Sequence, residues 1–153
     1  MGELWRLLMT LEPAAASLTA ESAAEGAIDG AQIAALEDNL ARTRDAVERG
    51  SGVAELDKEF HGIIAEATGN RALMLAREPV VGLLFPAVET LMPRLPQAGL
   101  RLIAAHTRIL EALKAGNAPE AETWMRKHIA DFKRGYDLLQ LDLDAPVRPD
   151  GAL

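Results

Sequence analysis

Cysteine is absent from the 153 residues. That excludes a disulfide framework, a thiolate metal site and a thiol nucleophile together. Aromatic residues number six, and Val and Ile together only 13. Basic residues are outnumbered, 16 against 23 acidic, for a net charge of −7. This balance argues against a chain whose own surface grips nucleic acid or an anionic membrane. Long apolar runs are also lacking. The most apolar stretch, Val80 to Val88, contains Gly82 and Pro86 and falls far short of the roughly 20 residues a bilayer span needs. The opening MGELWRLLMT carries Glu3 and Arg6, with no basic leader and no small-residue cleavage site, so it does not read as a signal peptide. The expected compartment is the cytoplasm. Histidine is scarce too: three residues must carry whatever imidazole chemistry the chain performs.

What the chain does contain is alanine and leucine, 28 and 23 residues, one position in three. Both lose little rotamer freedom in a helix, whereas β-branched residues lose more. Periodicity and punctuation divide the sequence into about six helices. The first spans about 3–24, with Leu4, Leu7, Leu8, Leu11 and Leu18 at helical spacing, and Pro13 is expected to kink or break it. The second spans about 31–49, the third about 53–68, and the fourth about 71–91, with Pro79 and Pro86 inside. Met92 to Pro96 reads as a loop. The fifth spans about 97–115, and the sixth about 118–139, opened by Asn117, Pro119 and Glu120 as a near capping box. These elements predict a single all-α domain over residues 1–140. The segment 141–153 lacks a periodic apolar face and is expected to fray.

Each histidine falls within an apolar helical stripe. Asp57 and His61 stand four residues apart, beside Phe60 and Ile64, so they project from one face. His106 lies between Ile103 and Leu110, and His128 between Trp124 and Phe132. Taken singly, each fits a hydrogen-bonded core histidine. Taken together with Asp57, which is costly to bury unless paired or bound to a cation, they also fit a site for a divalent first-row metal. Spacing alone leaves both readings open.

The same residues carry a family resemblance. The stretch LDKEFHGIIAEATGN (residues 56–70) resembles the D-x-x-F-H…A-x-G-N motif of the FCD domain, the ligand-binding domain of FadR-subfamily GntR transcriptional regulators. AHTRILEALKAGN (residues 105–117) is similar to that family's H-x-x-I-x-x-A-I-x-x-G-D segment, and AETWMRKHI (residues 121–129) to its A-x-x-x-M-x-x-H. LEPAAASLTAE (residues 11–21) is similar to its L-E-P-x-A-A-x-L-A-A opening. The four pieces occur in order and cover about 4–139. The resemblance implies an antiparallel helical bundle whose central cavity holds a small effector. It also implies one divalent ion of the Zn, Ni or Mn class, held by Asp57, His61, His106 and His128. An organic-acid effector would fill the open positions on that ion. Neutral imidazole is the binding form, so affinity is expected to fall as pH drops below roughly 6.5. Asn70 and Thr107 are candidates for orienting the rings, and Asn70, Arg101 and Arg108 for contacting the effector. Relatives carry a winged helix-turn-helix ahead of this domain. None is found in these residues, so DNA binding is expected only through such a domain elsewhere. Many relatives also have an arginine where Leu8 stands.

Other features admit two readings. Arg71, Arg77, Arg94, Arg101 and Arg108 fit solvated helix faces, with room for one effector clamp among them. Trp5, Trp124 and Phe132 fit either cavity lining or plain core. The Ala-rich 14–24 stretch permits close helix packing and is a candidate seam of a homodimer. The leading expectation is a metal-dependent sensor rather than an enzyme. The runner-up is a metal-dependent hydrolase or lyase using the same His/Asp site. It needs a general base, and Glu59 should point away from Asp57, with no HExxH motif present. The third is a structural helical dimer with satisfied core histidines.

Overall fold

Burial of the apolar stripes explains why these segments are helical and where they meet. The computed structural model describes residues 2–95 and 97–144. Six α-helices run in the order α1 (Gly2–Ala24), α2 (Gly30–Glu48), α3 (Ala54–Ala67), α4 (Arg71–Leu91), α5 (Ala98–Lys114) and α6 (Ala118–Leu138), with a short 3₁₀ turn at Met92–Arg94 where the sequence suggested only a loop. No strand occurs among the described residues. The molecule is an all-α bundle. Helix α1 packs most extensively on α6, and α5 joins α6 to α2. The centre is filled by Phe60, Ile64, Leu84, Ile109, Leu113 and Met125, all fully buried.

Capping follows the polar residues between the stripes. Asp29 and Gln32 form a capping box at α2, Asn70 accepts from the Leu73 N–H at 3.1 Å, and Asn117 accepts from the Glu120 N–H at 3.2 Å. Each satisfies a donor that the first helical turn leaves without a partner. Gly116 closes α5 with φ +64°, and a Cβ there would lie 2.8 Å from Ala24 Cβ. The turn between α5 and α6 therefore packs on the end of α1 only because the residue is glycine.

Two sequence expectations are corrected. Pro13 does not break α1, which is continuous from Gly2 to Ala24. Proline removes the donor that would reach Met9 four residues back, and the Met9 carbonyl instead accepts from Arg126 Nη1 of α6 at 3.4 Å. The Ala-rich stretch is not a free seam: Ala15, Ala16 and Ala20 are completely buried inside the bundle. The Gly2 N–H donates to the Leu143 carbonyl at 2.8 Å, and Leu141 and Leu143 pack on a small cluster with Leu91, Leu95 and Tyr136. The remainder of the expected frayed tail, 145–153, lies outside the described residues.

Helix α3 is pinned from both sides, and this positions the site. Thr19 of α1 donates to the Ile64 carbonyl at 2.9 Å. Asn39 of α2 is completely buried and donates to the Leu56 carbonyl and to Glu59, each at 2.9 Å. Buried hydrogen bonds of this kind fix helix register as well as contributing stability.

Candidate metal centre

Asp57 and His61 share the inner face of α3, one turn apart, as the four-residue spacing requires. His106 enters from α5 and His128 from α6. The ligand atoms of all four lie within 4.8 Å of one another. Three Nε2 atoms converge on one carboxylate oxygen: His106 at 3.1 Å, His128 at 3.2 Å and His61 at 3.6 Å from Asp57 Oδ1. His61 Nε2 and His128 Nε2 are 2.9 Å apart. That His61–His128 contact is a hydrogen bond, but Asp57 Oδ1 and both ring nitrogens of His106 remain without a hydrogen-bond partner. Buried polar atoms are normally paired, and leaving one unpaired costs about 1–3 kcal/mol. Acceptor atoms facing a common point from three helices are what a divalent cation satisfies, so the donor set fits a divalent metal ion.

Charge arrangement around the cluster supports the same view. Burial opposes ionisation of Asp57, but the imidazoles of His106, His128 and His61 outweigh it and hold its carboxyl well below the usual range. Burial likewise works against a charged His61, yet Glu12 and Asp57 beside it raise its pKa to about 9. Burial pushes His106 down to about 3, because its contact with Asp57 does not offset the loss of solvation. Without a metal, therefore, His61 carries a proton at neutral pH and His106 does not. The imidazolium then donates its Nδ1–H to Glu12 at 2.7 Å, with its Nε2 side facing His128 at 2.9 Å and Asp57 at 3.6 Å. A proton on His61 occupies the place in the charge balance that a cation would take.

Orientation of the rings comes from groups the sequence analysis did not single out. Glu12 is 1% exposed, and its Oε2 lies 2.7 Å from His61 Nδ1. Accepting the Nδ1 proton leaves the Nε2 lone pair aimed into the cluster, the usual role of a carboxylate behind a metal-binding histidine. Glu12 also accepts from Arg77 Nε at 2.5 Å. Burial disfavours its charge, but His61 and Arg77 prevail and lower its pKa. The available signal was a glutamate in the apolar stripe of α1, one turn after Leu8 and one before Ala16, where only a paired carboxylate is stable. Phe60 stacks on His106 with ring centroids 3.7 Å apart and planes 8° from parallel, which sets the tilt of that ring.

The remaining site candidates lie elsewhere. Asn70 is exposed and caps α4. Thr107 Oγ1 donates to the Ile103 carbonyl of its own helix and accepts from Arg44, so it does not touch the histidines. Arg108 is exposed, paired with Glu111 at 3.4 Å and lying over the Trp124 ring. Arg77 is neither a solvated arginine nor an effector clamp, being buried against Glu12. Arg101 alone reaches the cavity beside the cluster, where it pairs with Asp131 at 2.9 Å. That cavity encloses about 280 Å³ and is lined by Asp57, His61 and His128 at the cluster, and by Leu8, Trp124 and Phe132 among the apolar residues. Trp5 is not among its lining residues and donates to the Ile129 carbonyl at 3.1 Å. Glu59 is turned away, its carboxylate 2.7 Å from Arg42.

No helix among the described residues is long and apolar enough to cross a membrane. No curated protein matches the chain significantly in sequence. The model of the FCD domain, the ligand-binding domain of GntR-family regulators, matches residues 3–131 and spans all four converging ligands. The chain belongs to the FCD domain family.

Proposed function

We propose that this chain is a metal-dependent sensor of small organic acids, serving a GntR/FadR-type transcriptional regulator. Asp57, His61, His106 and His128 hold one divalent ion. Glu12 orients His61, and Phe60 orients His106. The observation that carries this reading is the convergence of three imidazole nitrogens on Asp57 Oδ1, with buried acceptors left unsatisfied. A bound ion would supply positive charge and open coordination positions to which a carboxylate can bind.

Charge bookkeeping favours an acid as the effector. Arg77 balances Glu12, and a divalent ion set against the single charge of Asp57 leaves one net positive charge beside a cavity lined mainly by apolar residues. One carboxylate neutralises it, and such pairing is far stronger there than in water.

Regulation then requires that acid binding favour one arrangement of the helices, since a ligand shifts an equilibrium only by its differential affinity. The cavity is bounded by α1, α3, α4, α5 and α6, so its occupant touches every helix that carries or supports a ligand. We assign DNA binding to a winged helix-turn-helix outside these residues, and the working assembly to a homodimer. Leu75, Pro79 and Leu83 form an exposed apolar row on α4, the kind of surface that seeks a partner. The hydrolase alternative gains no support from Glu59, which is engaged by Arg42 and Asn39.

Thermal shift with a panel of small carboxylates tests the sensor. An acid at a hundredfold excess over its dissociation constant adds about 2.7 kcal/mol of stability. That gain should vanish when a chelator is present. A gain that survives complete metal removal contradicts the reading.

A further inference from the structure

The lining of the cavity next to the cluster says what kind of acid fits. We infer that the effector is a monocarboxylic acid with an uninterrupted apolar tail, about eight to ten non-hydrogen atoms in all. The inference rests on the metal–carboxylate reading of the site and specifies its ligand. The cavity is lined by Asp57, His61 and His128 of the cluster and by Leu8, Leu84, Phe85, Val88, Leu102 and Phe132. The other polar groups in the lining are Arg101, Asp131 and Lys127. Arg101 and Asp131 neutralise each other at 2.9 Å, with about 30% of each side chain exposed. Lys127 is exposed, with its ammonium over the Trp124 ring at 4.3 Å. Apart from these groups and the cluster, the lining is almost entirely hydrocarbon.

A hydroxyl or second carboxylate on the ligand would meet a lining that is mostly hydrocarbon. Burying such a group unpaired is costly, and a pocket that cannot hydrogen-bond it discriminates against it. An alkyl or aryl tail meets no such penalty. The volume sets the length. A cavity of about 280 Å³ holds roughly nine water-sized groups, at about 30 Å³ each. Octanoate or phenylacetate fills it. Lactate leaves most of it unfilled, and citrate fills it with groups the wall cannot satisfy.

The experiment is isothermal titration of the full chain reconstituted with Zn²⁺, using butanoate, hexanoate, octanoate and decanoate, with lactate, malate, citrate and octanol as comparisons. Affinity should rise about fourfold per methylene from butanoate to octanoate, then level off by decanoate as the cavity is filled. Lactate, malate and citrate should each bind at least tenfold more weakly than octanoate. A flat ladder, or a hydroxy or dicarboxylic acid binding more tightly than hexanoate, overturns the apolar-tail inference while leaving the metal–carboxylate reading in place. Octanol binding as tightly as octanoate, or binding that chelator does not affect, overturns the underlying reading itself. Val88→Thr keeps the side-chain volume and adds one hydroxyl to the wall. It should weaken octanoate about tenfold while leaving acetate affinity and zinc content unchanged. Equal losses for acetate and octanoate would overturn the assignment of this wall to the tail.

Discussion

Replacing Glu12 by Gln separates the site from the fold more sharply than removing a ligand does. The substitution keeps the shape and removes one charge from a residue that is 1% exposed and touches both His61 and Arg77. Two consequences differ in size and in measurement. Arg77 loses its buried counter-charge, and breaking such a pair costs about 3–5 kcal/mol of stability. His61 keeps an acceptor for its Nδ1–H but loses the charge behind it, and disturbing a partner of this kind typically lowers metal affinity by about 10–100-fold. The proton complicates the second effect in a predictable way. His61 titrates at about 9 in the metal-free chain, largely because Glu12 opposes the effect of burial. Metal binding at pH 7 must therefore displace a proton, a penalty of roughly a hundredfold relative to pH 9. Without the Glu12 charge, that pKa falls and the penalty shrinks. The loss in affinity caused by Glu12→Gln should thus be largest near pH 9 and smaller at pH 7. Competition titrations with a calibrated chelator at both pH values measure it, and urea unfolding measures the stability. Adding Arg77→Met removes the stranded cation and should recover much of the stability without recovering metal affinity. The reasoning is refuted if folded Glu12→Gln binds metal as wild type does at pH 9, or if Arg77→Met restores both quantities together.

Four further outcomes are expected. In the wild-type chain, metal affinity should climb by about tenfold per pH unit up to about 9, which places the window well above the ordinary histidine range that the sequence suggested. The metal-free fold should lose stability at both ends of the scale, as urea midpoints across pH will show. The stabilising contribution of His61, raised to about 9, is fully present below about 6.5 and lost as pH rises through 9. That of His106, lowered to about 3, is present above 6.5 and lost as pH falls towards 3. Gly116→Ala must accept φ +64° and a Cβ 2.8 Å from Ala24. It should cost about 1–3 kcal/mol in thermal unfolding, without changing metal content. Leu75→Lys with Leu83→Lys charges the exposed row on α4 and should convert a dimer to monomer in sedimentation, with helicity unchanged.

Legibility of the sequence differed by level. Helix positions were readable because glycine, asparagine and proline mark the ends locally: Asn70 and Asn117 cap the helices they precede, and every boundary falls within about two residues. Spacing also showed that Asp57, His61, His106 and His128 face inward, but not that they meet, since meeting depends on how α3, α5 and α6 pack. Thr107 and Asn70 were named because they neighbour the right residues in sequence. Asn70 bonds within its own turn, and Thr107 donates within its own helix while accepting from Arg44 of α2. Glu12 and Arg77 come from helices 65 residues apart, and nothing local in either segment announces the other. Pro13 read as a kink or a break because local rules register its lost donor, whereas the compensating Arg126 lies on α6.

The central claim is that the four converging side chains hold a metal. Elemental analysis of chain purified without a polyhistidine tag and dialysed against trace divalent ions measures this directly, alongside His106→Ala and Asp57→Asn treated identically. The account predicts about one divalent ion per wild-type chain, and far less than one in either variant while helical circular dichroism is retained. A wild-type chain that stays metal-free after reconstitution, or variants that retain a full ion, would contradict it.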